Sequence, residues 1–438
     1  MSSIDIVSLT RLVLENQKSK SSINNVDDID VLVGPISVPR EVSIHSHKDR
    51  NPGIGGSEFY SIQLALLLRD AGFKFALEVY GTVPKLSGVL EVQREVVLDE
   101  TAKVRVTNSA MAFSISDALP EKQDLILVSH HPHDGWLDSL LKSKLNVAAI
   151  VNVGRYQFFS NRTRKARSLW LPAFTPAPSL GATRGVSESS YRAGHISSFH
   201  PSKGFHIIAK GWMRYVGNGS SSDQAKMQVI GADTLYKGGV ERKDCEQIPI
   251  SGTYGARIEE ILRKALPTWK NHMRFEGLVP DSPISLIKNW DVAIFNPLGL
   301  AEADPIVIQD AFSVSTPVIA GTLFGLYDYM RYFPELSAHT SYGISKRLRQ
   351  LDQNPALRKS VQIRVEELYL ELLERRNRTE RLWAEAISNV LRGEPIVGLD
   401  TGEKEPALWF RLKLGVLLLA FQSVGGRLLG LLKKLRGF

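Results

Sequence analysis

Short apolar runs alternate with helical patterns along this chain, and the alternation happens twice. A parallel sheet covered by helices on both faces satisfies that pattern. In the first series EVSIHSH, FKFALEVYG, DLILVSH and NVAAIVNVG read as strands. DLILVSH and NVAAIVNVG are short and almost wholly apolar, as strands buried on both faces are. SEFYSIQLALLLRDAG repeats Ile62, Ala65, Leu66 and Leu68 at helical spacing, with Ser57 the expected N-cap and Gly72 the expected stop. GWLDSLLKSK is a second helix. LWLPAFTPAPSLGATRG, residues 169–185, breaks the rhythm with prolines and turn residues and reads as a linker or domain boundary.

The second series reads AGHISSF, KMQVIGA, MRFEGLV, DVAIFNP and PVIAG as strands. Helices are expected over GFHIIAKGWMRYV, GARIEEILRKAL, DSPISLIKNW and DPIVIQDAFSV. Residues 356–392 are charged and helical, with Leu368, Leu372, Leu382 and Ile387 among their apolar positions. Residues 1–40 show no comparable pattern, and SKSSINNVDD reads as a loop. Two α/β domains in tandem fit the 438 residues.

Charge is unevenly spread. The chain carries 54 basic and 46 acidic residues. Six of the basic residues lie between Pro406 and Phe438, where there is no acid. The body is therefore almost neutral, which argues against a nucleic-acid-binding body. In the tail the longest uncharged run, Leu414–Gly426, is too short to span a bilayer. Leu428, Leu431, Leu432 and Leu435 share one helical face. Trp409, Phe410, Arg411, Lys413, Arg427, Lys433 and Lys434 complete the pattern of a helix lying in the plane of an anionic membrane. A helix packed on the core or in an oligomer interface is the plainer alternative. MSSIDIVSLTRLVLENQ has no sustained apolar core, so no secretory signal is expected. The single Cys245 excludes an internal disulfide and fits a reducing compartment.

Four stretches can carry chemistry. NPGIGGSE sets glycines between a strand and a helix start, where backbone and helix N-terminus approach an anion; a tight turn is the bland reading. SHHPHD puts His130, His131 and His133 at the carboxyl end of a strand, the edge where parallel sheets bind ligands. No matching carboxylate cluster accompanies them, so no metal site is expected. FHPSKG places Lys203 just before a helix, where it can meet a phosphate as a point charge. In GLAEADPIVIQDAFSVSTPVIAG, Glu302 stands before a helix expected to start near Asp304–Pro305, and Asp310 stands inside it. The two acids need not touch and can hold different parts of one elongated ligand.

Taken in order, the GGSE loop, the Lys-Gly before a helix, the strand-Gly of VIG, the FEG strand and the E-x7-acid block before PVIAG resemble the retaining GT-B glycosyltransferases that share an E-x7-E motif. The likeness covers roughly residues 41–390. It implies two Rossmann-like domains facing across a cleft: an acceptor domain over 1–176, then a nucleotide-sugar domain over 177–390 whose last helices return to the first. The amphipathic tail, 391–438, follows. Residue by residue, it implies that Glu302 contacts the donor sugar, Asp310 the ribose and Lys203 the diphosphate. Gly55 and Gly56 match the loop that approaches the phosphates, and Gly231 the strand-end glycine. His130 or His131 matches the histidine at the reaction centre. The implied activity is retaining transfer of a sugar from a nucleotide-diphosphate sugar to a glycan or lipid-linked acceptor. It needs no metal or other cofactor; the tail adds the expectation of a peripheral enzyme at the inner face of a membrane, meeting a lipid-linked acceptor during polysaccharide or glycolipid assembly.

Three positions depart from the family pattern. The second acid is Asp310, one methylene shorter than glutamate. Ser198 stands where an arginine is usual, with Arg155, Arg192 or Lys210 as candidate replacements. Asp304-Pro305 replaces Phe-Gly, and Pro305 has no N–H to offer a phosphate. A catalytically silent binding protein in a membrane-bound assembly, a sugar-nucleotide epimerase and a phosphorylase are the alternatives on the same scaffold. The PVIAG block disfavours the epimerase, and the absence of an evident cofactor-lysine motif disfavours the phosphorylase.

Overall fold

The computed structural model describes residues 29–398, except 39–41, 53, 82–84, 87–90, 94–101, 131–134, 162–166, 178–190, 219–224, 232–247, 280–282 and 301. His131, His133 and the membrane residues expected in the tail therefore lie outside the described residues.

Among the described residues the first half carries nine strands: β1 Val31–Val38, β2 Ser43–Ile44, β3 Phe75–Gly81, β4 Lys85–Leu86, β5 Glu91–Gln93, β6 Val104–Asn108, β7 Asp124–Ser129, β8 Val147–Asn152 and β9 Arg167–Trp170. Seven of them make a sheet in the order β5-β3-β1-β6-β7-β8-β9, while β2 and β4 pair separately. The second half carries β10 Arg192–Ile196, β11 Lys226–Ile230, β12 Met273–Gly277, β13 Val292–Ile294 and β14 Val318–Ile319, ordered β12-β11-β10-β13-β14. Every strand pairing is parallel, as the alternating pattern requires. Both sheets change direction at their first strand, and ligands of such sheets bind beyond the carboxyl ends at that point.

The structure corrects the expected elements in four places. The first strand of the large sheet is β1, not EVSIHSH, of which only Ser43–Ile44 is paired. β1 contains Gly34-Pro35, which reads as a breaker. The strand accommodates it with a shift of register between Val33 and Ile36. The helix Gly56–Asp70 is capped at Gly55, not Ser57, whose hydroxyl turns to Glu58 instead. The helix Ile306–Phe312 starts one residue beyond Pro305, which keeps an extended backbone.

The fourth correction concerns the expected linker. Leu169 and Trp170 belong to β9, and Leu171, Ala173, Phe174 and Thr175 are buried. Ala173 N–H donates to Asp304 (2.8 Å), Arg376 donates to Thr175 O (2.9 Å), and Tyr369 OH donates to Pro176 O (2.5 Å). This strap satisfies buried backbone groups with side chains from the second half.

The 37-residue helix Pro355–Leu391 serves both halves. Val361, Val365, Leu368, Tyr369 and Leu372 join the core around the five-stranded sheet. Trp383, Ala386, Ile387 and Val390 join the core around the seven-stranded sheet. Trp383 is fully buried, and its indole N–H donates to Tyr60 OH (2.9 Å).

Candidate functional site

A cleft of about 290 Å³ opens where the carboxyl ends of the two sheets face each other. From the first half it is lined by Asn51, Gly56, Ser57, Tyr60 and His130; from the second, by Ser198, Lys203, Gly231, Asn296, Glu302 and Asp310, among others. Of the described residues singled out in the sequence, His130, Lys203, Gly231, Glu302, Asp310 and Gly56 thus share one cleft. Gly55 is buried behind it as the helix cap. Gly231 sits at φ +125°, and a Cβ there would lie 1.8 Å from Ser197 O, so only glycine lets these two strand ends close up. His130 is half-buried, with its ring edge-on to Tyr60 (5.1 Å between centroids).

The two acids have separate surroundings. Lys203 Nζ donates to Glu302 Oε1 at 2.7 Å, and Asn296 Nδ2 donates to the same oxygen at 3.1 Å. Asp310 is 3% exposed, and burial pushes its carboxyl up to about 6 against the pull of Arg50. Arg50 comes from the first half. It reaches Asp310 Oδ1 at 3.4 Å, Ser313 Oγ at 2.9 Å and Ala177 O at 2.6 Å.

Asp304, at the usual phenylalanine position, also lines the cleft. It accepts hydrogen bonds from Ala173 N, Gln309 Nε2 and Tyr329 OH. Arg375 pulls its carboxyl down, but burial outweighs this and leaves it above the usual range. Asp304 thus forms a polar tie between the halves through Ala173 N.

Ser198 lines the cleft, but none of the three cations expected to compensate for it does. Arg192 is exposed, at the far end of β10. Lys210 is exposed on the outer face of the helix Phe205–Val216. Arg155 is buried against Phe159 and Trp170. Among the described lining residues Lys203 is the only lysine or arginine, and the acids are Glu302, to which it is bonded, Asp304 and Asp310. No group of three His, Cys, Asp or Glu side chains converges on a metal position among the described residues.

His195 and Asn296 were not anticipated. His195 Nδ1 donates to Ile294 O (2.7 Å), and burial lowers the imidazole to about 4, so it is neutral. His195 lies within β10 and Asn296 two residues beyond β13, both at the cleft edge of the sheet. A polar residue in that position is the signal that the sequence offered.

No known family and no curated protein matches the sequence. Solved structures do match. Sucrose-phosphate synthase from Thermosynechococcus elongatus is similar over 82% of this chain and 98% of its own, at 13% identity and a TM-score of 0.56. Trehalose-6-phosphate synthase OtsA matches over 84% and 100%, at 10% identity and a TM-score of 0.55. Anabaena Alr3699/HepE in complex with UDP and glucose matches over 82% and 100%, at 12% identity and a TM-score of 0.54. The match to S. aureus TarM spans 63% of this chain and 55% of that one, with a TM-score of 0.47. The fold is GT-B: two parallel α/β halves with a cleft between their strand ends.

Proposed function

We propose that this protein is a retaining glycosyltransferase that moves a sugar from a nucleotide-diphosphate sugar to a hydroxyl of a glycan or lipid-linked acceptor. The observation that carries this reading is the convergence of Lys203, Glu302 and Asp310 at the carboxyl edge of the second sheet, opposite His130. In this reading Asp310 accepts from the ribose hydroxyls and Glu302 from the donor sugar. Lys203 leaves Glu302 for the diphosphate, where negative charge develops as the bond from the anomeric carbon to the phosphate oxygen breaks. The acceptor oxygen attacks the face that the diphosphate leaves, and its proton passes to the departing phosphate oxygen. Configuration is therefore retained. Protein groups supply the charge stabilisation, so the proposed reaction proceeds without a metal. Matching structures in complex with UDP support a nucleotide-sugar donor.

Thermal-shift screening with nucleotide sugars, followed by product detection, tests the reading. Stabilisation by one donor and its turnover are expected, with Glu302→Ala lowering turnover by roughly a hundredfold or more. Stabilisation without turnover would favour a silent binding protein, the reading that Ser198 supports. No stabilisation by any nucleotide sugar or free nucleotide would remove the enzyme reading.

The sequence of the tail supports an enzyme held at the inner face of an anionic membrane, where a lipid-linked acceptor is within reach. Among the described residues no helix is long and apolar enough to cross a membrane.

A further inference from the structure

The residues 296–300 that lead towards Glu302 are packed tightly at their base. Gly299 has φ +68°, and a Cβ there would lie 2.7 Å from Leu323 Cβ; one on Gly321 would lie 2.5 Å from Pro297 O. His339 Nδ1 donates to Pro297 O (3.0 Å), while its Nε2 accepts from Thr322 Oγ1 (3.0 Å). Within this stretch one side chain makes the connections. Asn296 Oδ1 accepts from Gly299 N (2.9 Å), and Nδ2 donates to Leu300 O (2.8 Å) and to Glu302 Oε1 (3.1 Å). Asn296 is 3% exposed. Of the two groups that hold Glu302 Oε1, Lys203 is the one a diphosphate would draw away.

We propose that Asn296 is the positioning residue for Glu302, holding the carboxylate on the sugar when Lys203 turns to the diphosphate. This rests on the function proposed above. Both donors sit on Oε1, so Oε2 is left as the acceptor for a ligand hydroxyl. An amide is required because every neighbour of Nδ2 is an acceptor. The titratable groups around it are Glu302 and Lys203, with His195 and His339 bonded to the carbonyls of Ile294 and Pro297.

The test has two arms. With the donor selected by the screen, Asn296→Ala should lower kcat by roughly tenfold or more. Its affinity for the matching free nucleoside diphosphate should stay within about threefold of wild type, because Asp310 and Lys203 remain. Equal losses in both, or in neither, would overturn the proposal. The second arm needs no donor. Asn296→Asp sets a carboxylate against Glu302, and two such groups cannot both ionise. The shared proton raises a folded-state pKa, so stability is present at low pH and lost as pH rises. The variant should melt roughly 3–6 °C lower at pH 8 than at pH 5, beyond any wild-type change. Adding Glu302→Gln should relieve that loss, because the new amide can donate to the aspartate. If the double variant keeps the full pH dependence, Asn296 does not act through Glu302 and the proposal falls. Relief in a chain that turns over no nucleotide sugar would remove the functional reading while leaving Glu302 held by Asn296.

Discussion

Asp310 shows how burial redistributes charge. It sits deep, where burial lifts its carboxyl to about 6, well above the usual 3.8. The sign of the linkage follows. The stability it contributes is full below about pH 4 and is lost as pH rises through 6. Ribose binding runs the other way, because hydroxyls donate to the ionised carboxylate. Nucleotide affinity measured by calorimetry should therefore rise from pH 5 to pH 7 with an inflection near 6, and Asp310→Asn should flatten the rise. An affinity that is flat in the wild-type protein would falsify the ribose assignment. The acid pair stood out because its two members lie eight positions apart in one block, and Lys203 because it precedes a helix next to a glycine. Arg50 was not: it meets Asp310 across 260 positions and reads as one polar residue in an ordinary loop. Asn296 and His195 were hidden inside runs read only as strands.

At the scale of elements, strand–helix alternation was legible because buried parallel strands are short and apolar, and the helices between them keep one apolar face. What failed were segments whose local chemistry points one way and whose tertiary setting points another. β1 carries Gly-Pro in the interior of a sheet and tolerates it through its change of register. The strap after β9 has the prolines of a linker, but it is buried and bonded by Asp304, Tyr369 and Arg376. No local pattern reveals partners that lie so far along the chain. The long helix makes its own prediction. Trp383 fills the first half's core and donates to Tyr60, so Trp383→Ala should cost about 3–5 kcal/mol in urea unfolding. A loss under about 1 kcal/mol would mean that the helix end does not hold the first half together.

Across the whole molecule, the two parallel sheets were legible from the doubled alternation, whereas the polar ties between the halves were not. Asp304, Arg50 and Arg376 each bond to residues of the strap or its continuation, so the crossover is a fixed seam beside the cleft. The sequence of the basic tail predicts a separate membrane function. Removing residues 406–438 should abolish cosedimentation with vesicles containing anionic lipid. Turnover of a water-soluble acceptor should stay within about twofold. Vesicle binding that survives the truncation would dismiss the tail as the anchor. The two-part helix also bears on how the protein is made. The seven-stranded sheet is complete once β9 has left the ribosome, but Trp383 and Ile387, which finish its core, emerge roughly two hundred residues later. At about 5–20 residues per second the nascent sheet waits on the order of ten to forty seconds with an apolar groove uncovered.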